Sequence, residues 1–244
     1  MQIKFRNITY KNDNGEVISK DEFDILRDKF QKDVDNTYNE KANQIISRIN
    51  NIATSDEEKL WMLFDYLSSE NMIYNLQGTT QDGRLALDYG YSFAPYKSWK
   101  IRQGTKYPAL LNNSGVCITY SLAFEDLANK LGIPCRVVNG YTGMEHAWNI
   151  VLINNQLKQI DVAYAIMNRK MNNKKDFFLK DTLSNRTISS NLSDLEKDLR
   201  EQYTKEYPQI KIISRTDEPT IKIISRTDNN EEEPKITIHR KWRR

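Results

Sequence analysis

The fold is decided by "SGVCITYSLAFEDLANKLGIP", residues 114–134, in which a short glycine-containing run leads into a helical pattern. Apolar residues recur at helical spacing from Ile118 to Leu131, and the Gly-Ile-Pro sequence that follows is a stop signal. The pattern therefore predicts a helix that begins at Cys117. A thiol at that position is well placed for chemistry, because unpaired backbone N–H groups at a helix N-terminus favour the reactive thiolate.

Strands are predicted to follow this helix. The segments "CRVVNGY" (135–141), "HAWNIVLI" (146–153) and "QLKQIDVAY" (156–164) are rich in β-branched and aromatic residues and are separated by short turns. They predict a small antiparallel meander after the helix. Cys135 opens the first strand in an apolar setting, where cysteine acts as a small buried core residue.

Three residues in these elements have the chemistry of a cysteine enzyme. Cys117 needs a base that can take its proton at neutral pH, which indicates imidazole. His146 opens the second predicted strand, whereas His239 lies in the C-terminal tail. Asp161 closes the next strand, and antiparallel pairing brings it near His146, where a carboxylate can orient the ring. We therefore predict Cys117 as nucleophile, His146 as general base and acid, and Asp161 as the orienting carboxylate.

The blocks "SGVCITYSLAFEDLANKLGIPCRVVNGY" and "EHAWNIVLINNQLKQIDVAY", with the later "FFL", resemble the core of the transglutaminase-like superfamily over roughly residues 55 to 185. The resemblance implies an α+β, papain-like fold in which the nucleophile helix packs on a small antiparallel sheet. It also implies a mechanism: the thiolate attacks a carboxamide or peptide carbonyl, and water or an amine resolves the acyl-thioester. The same Cys117, His146 and Asp161 carry over from the family pattern.

The chain departs from the pattern of its bacterial relatives at two places. These often carry Gln-Gly after the nucleophile, where this chain has Ile118 and Thr119, and Thr-Trp after the aspartate, where it has Ala163 and Tyr164. The substrate is therefore left open. Hydrolysis of a peptide or glutamine-type amide is slightly favoured, crosslinking of glutamine to lysine is the nearest alternative, and a catalytically inactive scaffold or binding module is a further one. The complete triad favours an enzyme.

Substrate contacts are less marked than the triad. The backbone N–H of Cys117 is expected to donate to the oxyanion, but the second donor has no clear signal. Three residues of the preceding loop are candidate donors or substrate contacts: Tyr107, Asn112 and Asn113. Trp148 is expected either to pack beside the site or to contact substrate. Asn149 fits a strand surface.

Helices are predicted before the catalytic core, after a short strand or hairpin at the start of the chain. Ser19 and Glu22 have capping-box spacing, and so do Ser55 and Glu58, so each pair predicts a helix start. The first helix carries an apolar stripe that indicates a packing face: Phe23, Leu26, Phe30, Val34, Tyr38, Ile45 and Ile49. Residues 75–113 lack periodicity and predict a long irregular loop beside the site.

The C-terminal part of the chain contains a repeat. An amphipathic helix is predicted from Ser193, and "IKIISRTD" at 210–217 returns at 221–228. Two short copies do not make a solenoid, so we expect a disordered tail or edge strands, with strand addition to a protein partner as the alternative. The expected division is residues 1–52 as an N-terminal extension, 53–203 as the catalytic domain and 204–244 as the tail.

Composition excludes several classes of protein. Lys and Arg total 36 against 33 Asp and Glu, a net charge of +3 that requires no nucleic-acid partner. Two cysteines and two histidines exclude a disulfide framework and a closed zinc site. Some relatives use calcium, but no acidic loop of the required pattern is present, so no cofactor is predicted. The chain lacks an apolar run of about 20 residues and a signal segment, which predicts a soluble protein, either cytoplasmic or exported with its signal removed or by another route.

Overall fold

The computed structural model describes residues 10–75 and 104–206, with gaps at residues 13, 15, 172 and 190. Parts of three sequence predictions lie outside the described residues: the start of the N-terminal strand, most of the long loop before Cys117 and the repeats of the tail. The described residues form helices around a small antiparallel four-stranded sheet, which confirms the predicted α+β class. Within them, no helix is long and apolar enough to cross a membrane.

A two-stranded hairpin and a long helix open the described part. Strands β1 (Tyr10–Lys11) and β2 (Val17–Ile18) pair antiparallel, and helix α1 (Lys20–Ile52) follows. The predicted capping box is confirmed, because Ser19 accepts from the Glu22 N–H and the Glu22 carboxylate accepts from the Ser19 N–H. The predicted apolar stripe is a packing face: Phe23, Val34, Tyr38 and Ile49 of it are buried, and Ala42 is buried beside them.

Helix α2 (Asp56–Leu67) begins at the second predicted cap. The Ser55 hydroxyl accepts from the Glu58 N–H, but the Glu58 carboxylate accepts from the backbone N–H and hydroxyl of Thr54 rather than from Ser55. The helix start is confirmed, although the capping box is only half formed. One face of α2 is fully buried: Leu60, Leu63, Phe64 and Leu67.

Short elements lead from α2 to the nucleophile. Strand β3 (Ile73–Tyr74) pairs in parallel with β4 (Ser114–Gly115), and helix α3 (Tyr107–Leu111) lies before β4 in the chain. The prediction of an irregular loop up to residue 113 is therefore wrong for this end of it. Pro108 sits in the first turn of α3, where its fixed φ angle favours a helix start.

The nucleophile helix and the sheet follow as predicted. Helix α4 (Cys117–Lys130) begins at Cys117. The strands are β5 (Cys135–Tyr141), β6 (Glu145–Ile153), β7 (Gln156–Ile160) and β8 (Thr187–Ile188). Their spatial order is β7-β6-β5-β8 and every neighbouring pair is antiparallel, so the meander β5-β6-β7 is confirmed.

Two predicted boundaries were wrong. The third strand was expected to run through Tyr164, but β7 ends at Ile160 and Asp161 caps a short helix, α5 (Val162–Met167). An aspartate favours such a cap because its side chain accepts a backbone N–H of the first turn. The last helix, α6 (Leu192–Glu206), begins just before Ser193, the predicted N-cap; Asn191 precedes the helix and accepts from the Ser193 N–H.

The sheet is covered on both faces. On one face, α1, α2 and α4 share a single apolar cluster with β5, β6 and β7. On the other face, β5 and β6 pack against Leu183 and, from α6, Leu199. Strand β6 is therefore buried at every position after Glu145, and each large apolar side chain that it buries contributes about 1.5–3 kcal/mol. A strand enclosed in this way gives His146 a rigid support.

Cys135 and Asn149 lie in this core. Cys135 is fully buried, which confirms its predicted core role, and burial raises the pKa of its thiol. Asn149 is also fully buried, so the expectation of a strand-surface residue was wrong. Its amide donates to the Ser121 carbonyl at 3.0 Å and thereby joins β6 to the nucleophile helix.

Candidate active site

Cys117 is the first residue of α4 and is half-buried. The chain enters the helix through Gly115, where a Cβ would lie 2.5 Å from the Thr119 Cγ2 atom. Only glycine allows the backbone to come this close to the first turn of α4. The missing side chain therefore helps to set where the thiol begins the helix.

The thiol of Cys117 is activated by its surroundings. Burial opposes ionisation, but a hydrogen bond to His146, the backbone N–H of Ala147 and the charge of His146 outweigh it and lower the pKa of Cys117. The backbone N–H of Ile118, in the first turn of α4, acts in the same direction. The site therefore favours the thiolate, which is the nucleophilic form.

His146 lies on β6 between the thiol and a carboxylate. Burial disfavours its charged form, but hydrogen bonds and charges from Asp161 and Cys117 dominate and raise the pKa of His146 from 6.5 to about 9. Its Nε2 atom lies 2.8 Å from the Asp161 Oδ2 atom, so Nδ1 is the ring nitrogen left for the thiol. A raised histidine pKa and a lowered cysteine pKa both favour a thiolate–imidazolium pair.

Asp161 is fully buried where β7 passes into α5. Its Oδ1 atom accepts the Tyr164 N–H at 2.9 Å, and its own N–H donates to the Phe177 carbonyl at 2.9 Å. Its Oδ2 atom faces His146. The helix cap thus fixes one carboxylate oxygen and leaves the other to orient the imidazole.

Two aromatic rings contact the imidazole of His146. Tyr164 meets His146 edge to face with 4.8 Å between ring centroids, and Trp148 lies nearly parallel at 5.9 Å. Trp148 is fully buried, and its indole N–H donates to the Gln159 Oε1 atom at 2.9 Å. Of the two expectations for Trp148, the structure has it packed beside the site, with no exposed surface for a substrate.

The three loop residues proposed as donors differ in their surroundings. The Tyr107 hydroxyl donates to Asp35 at 2.6 Å and accepts from Gln31, both on α1. Asn112 ends α3 and has an exposed side chain, and Asn113 adopts a left-handed φ of 53° while its carbonyl accepts the Ile73 N–H. Asn113 therefore serves the pairing of β3 with β4, and Tyr107 anchors α3 to α1.

Tyr74 reaches the thiol and had no signal in the sequence. Burial, followed by the charge of Cys117 and a hydrogen bond to it, raises the pKa of Tyr74 to about 12. The hydroxyl therefore stays protonated at neutral pH and is a hydrogen-bond donor. Three contacts hold β3, the strand of Tyr74, and the residue before it. Strand β3 pairs with β4, the Tyr120 hydroxyl donates to the Ile73 carbonyl at 2.7 Å, and Arg169 donates to the Met72 carbonyl.

Arg186 is the second residue that the sequence did not indicate. Its guanidinium donates to the Asp161 Oδ2 atom, the oxygen that also faces His146, and both side chains of this ion pair are buried. In the described ranges, no cluster of three His, Cys, Asp or Glu side chains is arranged to hold a metal ion. The described site thus consists of a thiol, an imidazole, a carboxylate, a phenol and a guanidinium.

Comparisons with known proteins find one matching family and several similar solved structures. The family model of the transglutaminase-like superfamily matches residues 43–161. A search of curated proteins finds no significant match. Similar solved structures include a TGase, with 17% identity over 59% of this chain and 33% of that chain and a TM-score of 0.38.

Two further solved structures are similar at the same level. One is the periplasmic domain of TgpA from Pseudomonas aeruginosa, with 19% identity over 57% of this chain and 47% of that chain and a TM-score of 0.38. The other is a protein from Cytophaga hutchinsonii described as a candidate cysteine protease, with 16% identity over 63% of this chain and 47% of that chain and a TM-score of 0.38. This chain spans less than half of each of these structures. Residues 43–161, the part of the chain that matches the transglutaminase-like superfamily, hold Cys117, His146 and Asp161.

Proposed function

We propose that this chain is a cysteine enzyme that cleaves a peptide or glutamine-type amide through an acyl-thioester on Cys117. The observation that carries the proposal is the pairing of Cys117 at the start of α4 with His146, whose Nε2 atom lies 2.8 Å from Asp161. A nucleophile, a base within hydrogen-bonding reach and a group that orients the base are what acyl transfer requires. We propose residues 53–203 as the catalytic domain and a protein or peptide as the substrate.

The first step is attack by the thiolate. His146 holds the proton from Cys117 as imidazolium, and the sulfur forms a bond to the amide carbonyl carbon. The carbonyl π electrons move to oxygen, which becomes an oxyanion. Asp161 keeps the imidazolium oriented through the Nε2 hydrogen bond, so the Nδ1 proton stays directed at the reacting atoms.

The oxyanion needs donors that are in place before the reaction. The Cys117 backbone N–H at the start of α4 is one, and we propose the Tyr74 hydroxyl as the other. Tyr74 is protonated at neutral pH, already lies against the sulfur and sits on a strand held by β4, Tyr120 and Arg169. Fixed donors of this kind stabilise charge in the transition state without reorganisation.

The leaving group departs when the oxyanion reforms the carbonyl and the C–N bond breaks. His146 gives its Nδ1 proton to the departing nitrogen, which leaves as an amine or as ammonia, and the acyl group remains on sulfur as a thioester. Neutral His146 then takes a proton from water as the water oxygen attacks the thioester, and the thiolate is the leaving group. The product is a carboxylic acid, and the thiolate–imidazolium pair is restored.

An amine in place of water makes the same site a transferase. We favour hydrolysis modestly, because an amine must be selected by a binding site of its own, and the described residues do not identify one. The alternative, crosslinking of glutamine to lysine, uses the same three catalytic residues. The two differ only in which nucleophile resolves the thioester.

The test compares the wild-type chain with Cys117→Ala on a casein-type protein, with and without an added primary amine. Mass spectrometry follows new termini, deamidated glutamine and incorporated amine, and a coupled assay follows ammonia. Cleavage or deamidation that depends on Cys117 is expected. Amine incorporation that depends on Cys117 would instead assign transfer, and equal products from Cys117→Ala would remove Cys117 from the reaction.

The scaffold alternative is tested without any substrate. A thiolate paired with His146 reacts with iodoacetamide well below the pH at which an ordinary thiol, with a pKa of about 8.5, does so. An inactive scaffold with an unactivated cysteine shows no such reactivity at low pH. The same measurement helps to explain a negative result with casein. If Cys117 is activated but casein is not changed, the enzyme accepts a narrower range of substrates.

A further inference from the structure

Arg186 shares one oxygen atom of Asp161 with His146. The Arg186 guanidinium and the His146 Nε2 atom both donate to Asp161 Oδ2, and the three side chains are nearly or fully inaccessible to solvent. Two hydrogen bonds to one oxygen bring the guanidinium and the imidazole to within about 5 Å of each other. A permanent positive charge is therefore built in beside the group that must gain and lose a proton.

The position of Arg186 is specified by backbone around it. Strand β8 pairs with the end of β5, and the Ser189 N–H donates to the Asn139 carbonyl at 2.9 Å. This approach depends on Gly140, where a Cβ would lie 2.1 Å from the Thr187 carbonyl oxygen. Asn185 has a left-handed φ of 56°, which asparagine tolerates better than most residues and which turns the chain just before Arg186.

Two aromatic rings lie close to the guanidinium. The Arg186 Cζ atom lies 4.6 Å from the Tyr164 ring centroid and 5.1 Å from that of Trp148. These two rings are also the ones that flank His146. Arg186 and His146 thus contact the same aromatic pair, so a planar cation suits the space better than a flexible ammonium does.

The charges in this buried group balance. The Asp161 carboxylate and the Arg186 guanidinium together have no net charge. Cys117 and His146 together also have no net charge, either as a thiol with an imidazole or as a thiolate with an imidazolium. Without Arg186, the unbalanced Asp161 carboxylate would favour the imidazolium more strongly and hold its proton. The described titratable and charged side chains that contact or interact with His146 and Asp161 are Cys117 of α4, Tyr74 of β3, Tyr164 of α5 and Arg186.

We propose that Arg186 is a positioning residue that offsets the charge of Asp161 and so leaves His146 able to release its proton to the leaving group. This proposal rests on the proposed function of Cys117 and His146. Arg186 acts through Asp161, and no contact with substrate is assigned to it. Its role is to set how strongly the imidazole holds its proton and how firmly the carboxylate is aimed.

The test measures the rate of Cys117 alkylation by iodoacetamide across pH in the full-length chain. The wild type is expected to show two steps: an early one as the thiolate–imidazolium pair forms, and a late one near pH 9 as His146 loses its proton. In Arg186→Gln, a positive charge about 5 Å from the imidazolium is removed, so the late step is expected to move up by at least about one pH unit.

One variant separates the charge of Arg186 from its packing, and a second variant is a control. Arg186→Lys keeps the charge and is expected to keep the late step within about 0.3 pH units of the wild type. Arg136→Gln is the matched control, because Arg136 also joins two elements, through Asp198 and Gln202 of α6, but lies outside the site. It is expected to leave both steps unchanged.

The outcomes are distinct. A folded Arg186→Gln whose late step coincides with that of the wild type overturns this proposal, while the two steps of the wild type still support the proposed function. A wild type with a single ordinary thiol step refutes the proposed function itself. If Arg186→Gln does not fold, Arg186→Lys decides, because a shift of one unit or more with the charge retained contradicts the charge argument.

Discussion

Replacing His146 by glutamine is expected to remove the activation of Cys117. The pKa of His146 rises from 6.5 to about 9, and one pH unit corresponds to about 1.36 kcal/mol, so the site favours the imidazolium by about 3 kcal/mol. Asp161 and Cys117 each contribute a hydrogen bond and a charge to this shift, and together they outweigh the effect of burial. The interaction between imidazolium and thiolate is reciprocal, and an opposite charge at this range shifts a pKa by about 1–3 units, so His146 favours the thiolate by about tenfold or more.

The assay is the pseudo-first-order rate of iodoacetamide alkylation at the peptide that contains Cys117, from pH 5 to pH 10. Because the folded pKa of His146 is raised, the imidazolium and its stabilising effect are present below pH 6.5 and are lost as the pH rises through about 9. At pH 6, His146→Gln is expected to react about ten times more slowly than the wild type or slower still, and to show one step at alkaline pH.

Two controls accompany this experiment. His239→Gln removes the other histidine of the chain and is expected to follow the wild type. Cys117→Ala is expected to show no fast label, because Cys135 is fully buried. A folded His146→Gln that reacts at pH 6 within about twofold of the wild type would refute the activation of Cys117 by His146, since a neighbouring imidazolium is expected to favour the thiolate by about tenfold or more.

Three further predictions concern the surroundings of this pair. Asp161→Asn is expected to lower the pKa of His146 and to reduce kcat by about 100-fold or more. In a pH–rate profile the alkaline limb should move to lower pH, and a limb at the wild-type pH would contradict this prediction. Tyr74→Phe is expected to reduce kcat by about 100-fold with little change in KM, and an unchanged kcat would remove Tyr74 from the oxyanion site. Gly140→Ala is expected to lower the free energy of unfolding in urea by about 2 kcal/mol, because its Cβ would clash with the Thr187 carbonyl. Gly143→Ala, which meets no atom within 4 Å but has a φ of +92°, is the control and is expected to cost about 1 kcal/mol; an equal loss in both would contradict the clash.

The catalytic core was predictable because its parts follow each other closely in the chain. Cys117 is marked by a helix start, His146 by a strand start and Asp161 by the end of the next strand. Short connections force consecutive strands to pair, so local pattern alone brings His146 and Asp161 together. The helix caps at Ser19 and Ser55 were predictable for the same reason, since a cap involves neighbours only.

Tyr74 and Arg186 were not predictable in this way. Tyr74 lies on the two-residue strand β3, and Arg186 directly precedes the two-residue strand β8; two residues are too few for an alternating pattern. Strand β3 pairs with a segment far along the chain, and β8 returns to β5 after an irregular segment. Their side chains become functional only through tertiary contacts. A tyrosine or an arginine in such surroundings carries no local signal of its role.

The wrong predictions for Tyr107 and for the end of the third strand have a related cause. Tyr107 was proposed as a donor because it precedes the nucleophile in the chain, but its hydroxyl is used by Asp35 on α1, a helix remote in sequence. The strand predicted through Tyr164 ends early because Asp161 prefers to cap a helix. Apolar residues such as Val162 and Ala163 fit a strand or a buried helix equally well, so composition did not separate the two.

The most direct test of the central claim is the intact mass of the protein after brief exposure to casein-derived peptides and an acid quench. The account predicts a covalent acyl adduct on Cys117 in the wild type that is released by hydroxylamine, as a thioester is, and is absent from Cys117→Ala. Turnover of the same peptides by Cys117→Ala at the wild-type rate, or an adduct on any other residue, would contradict it.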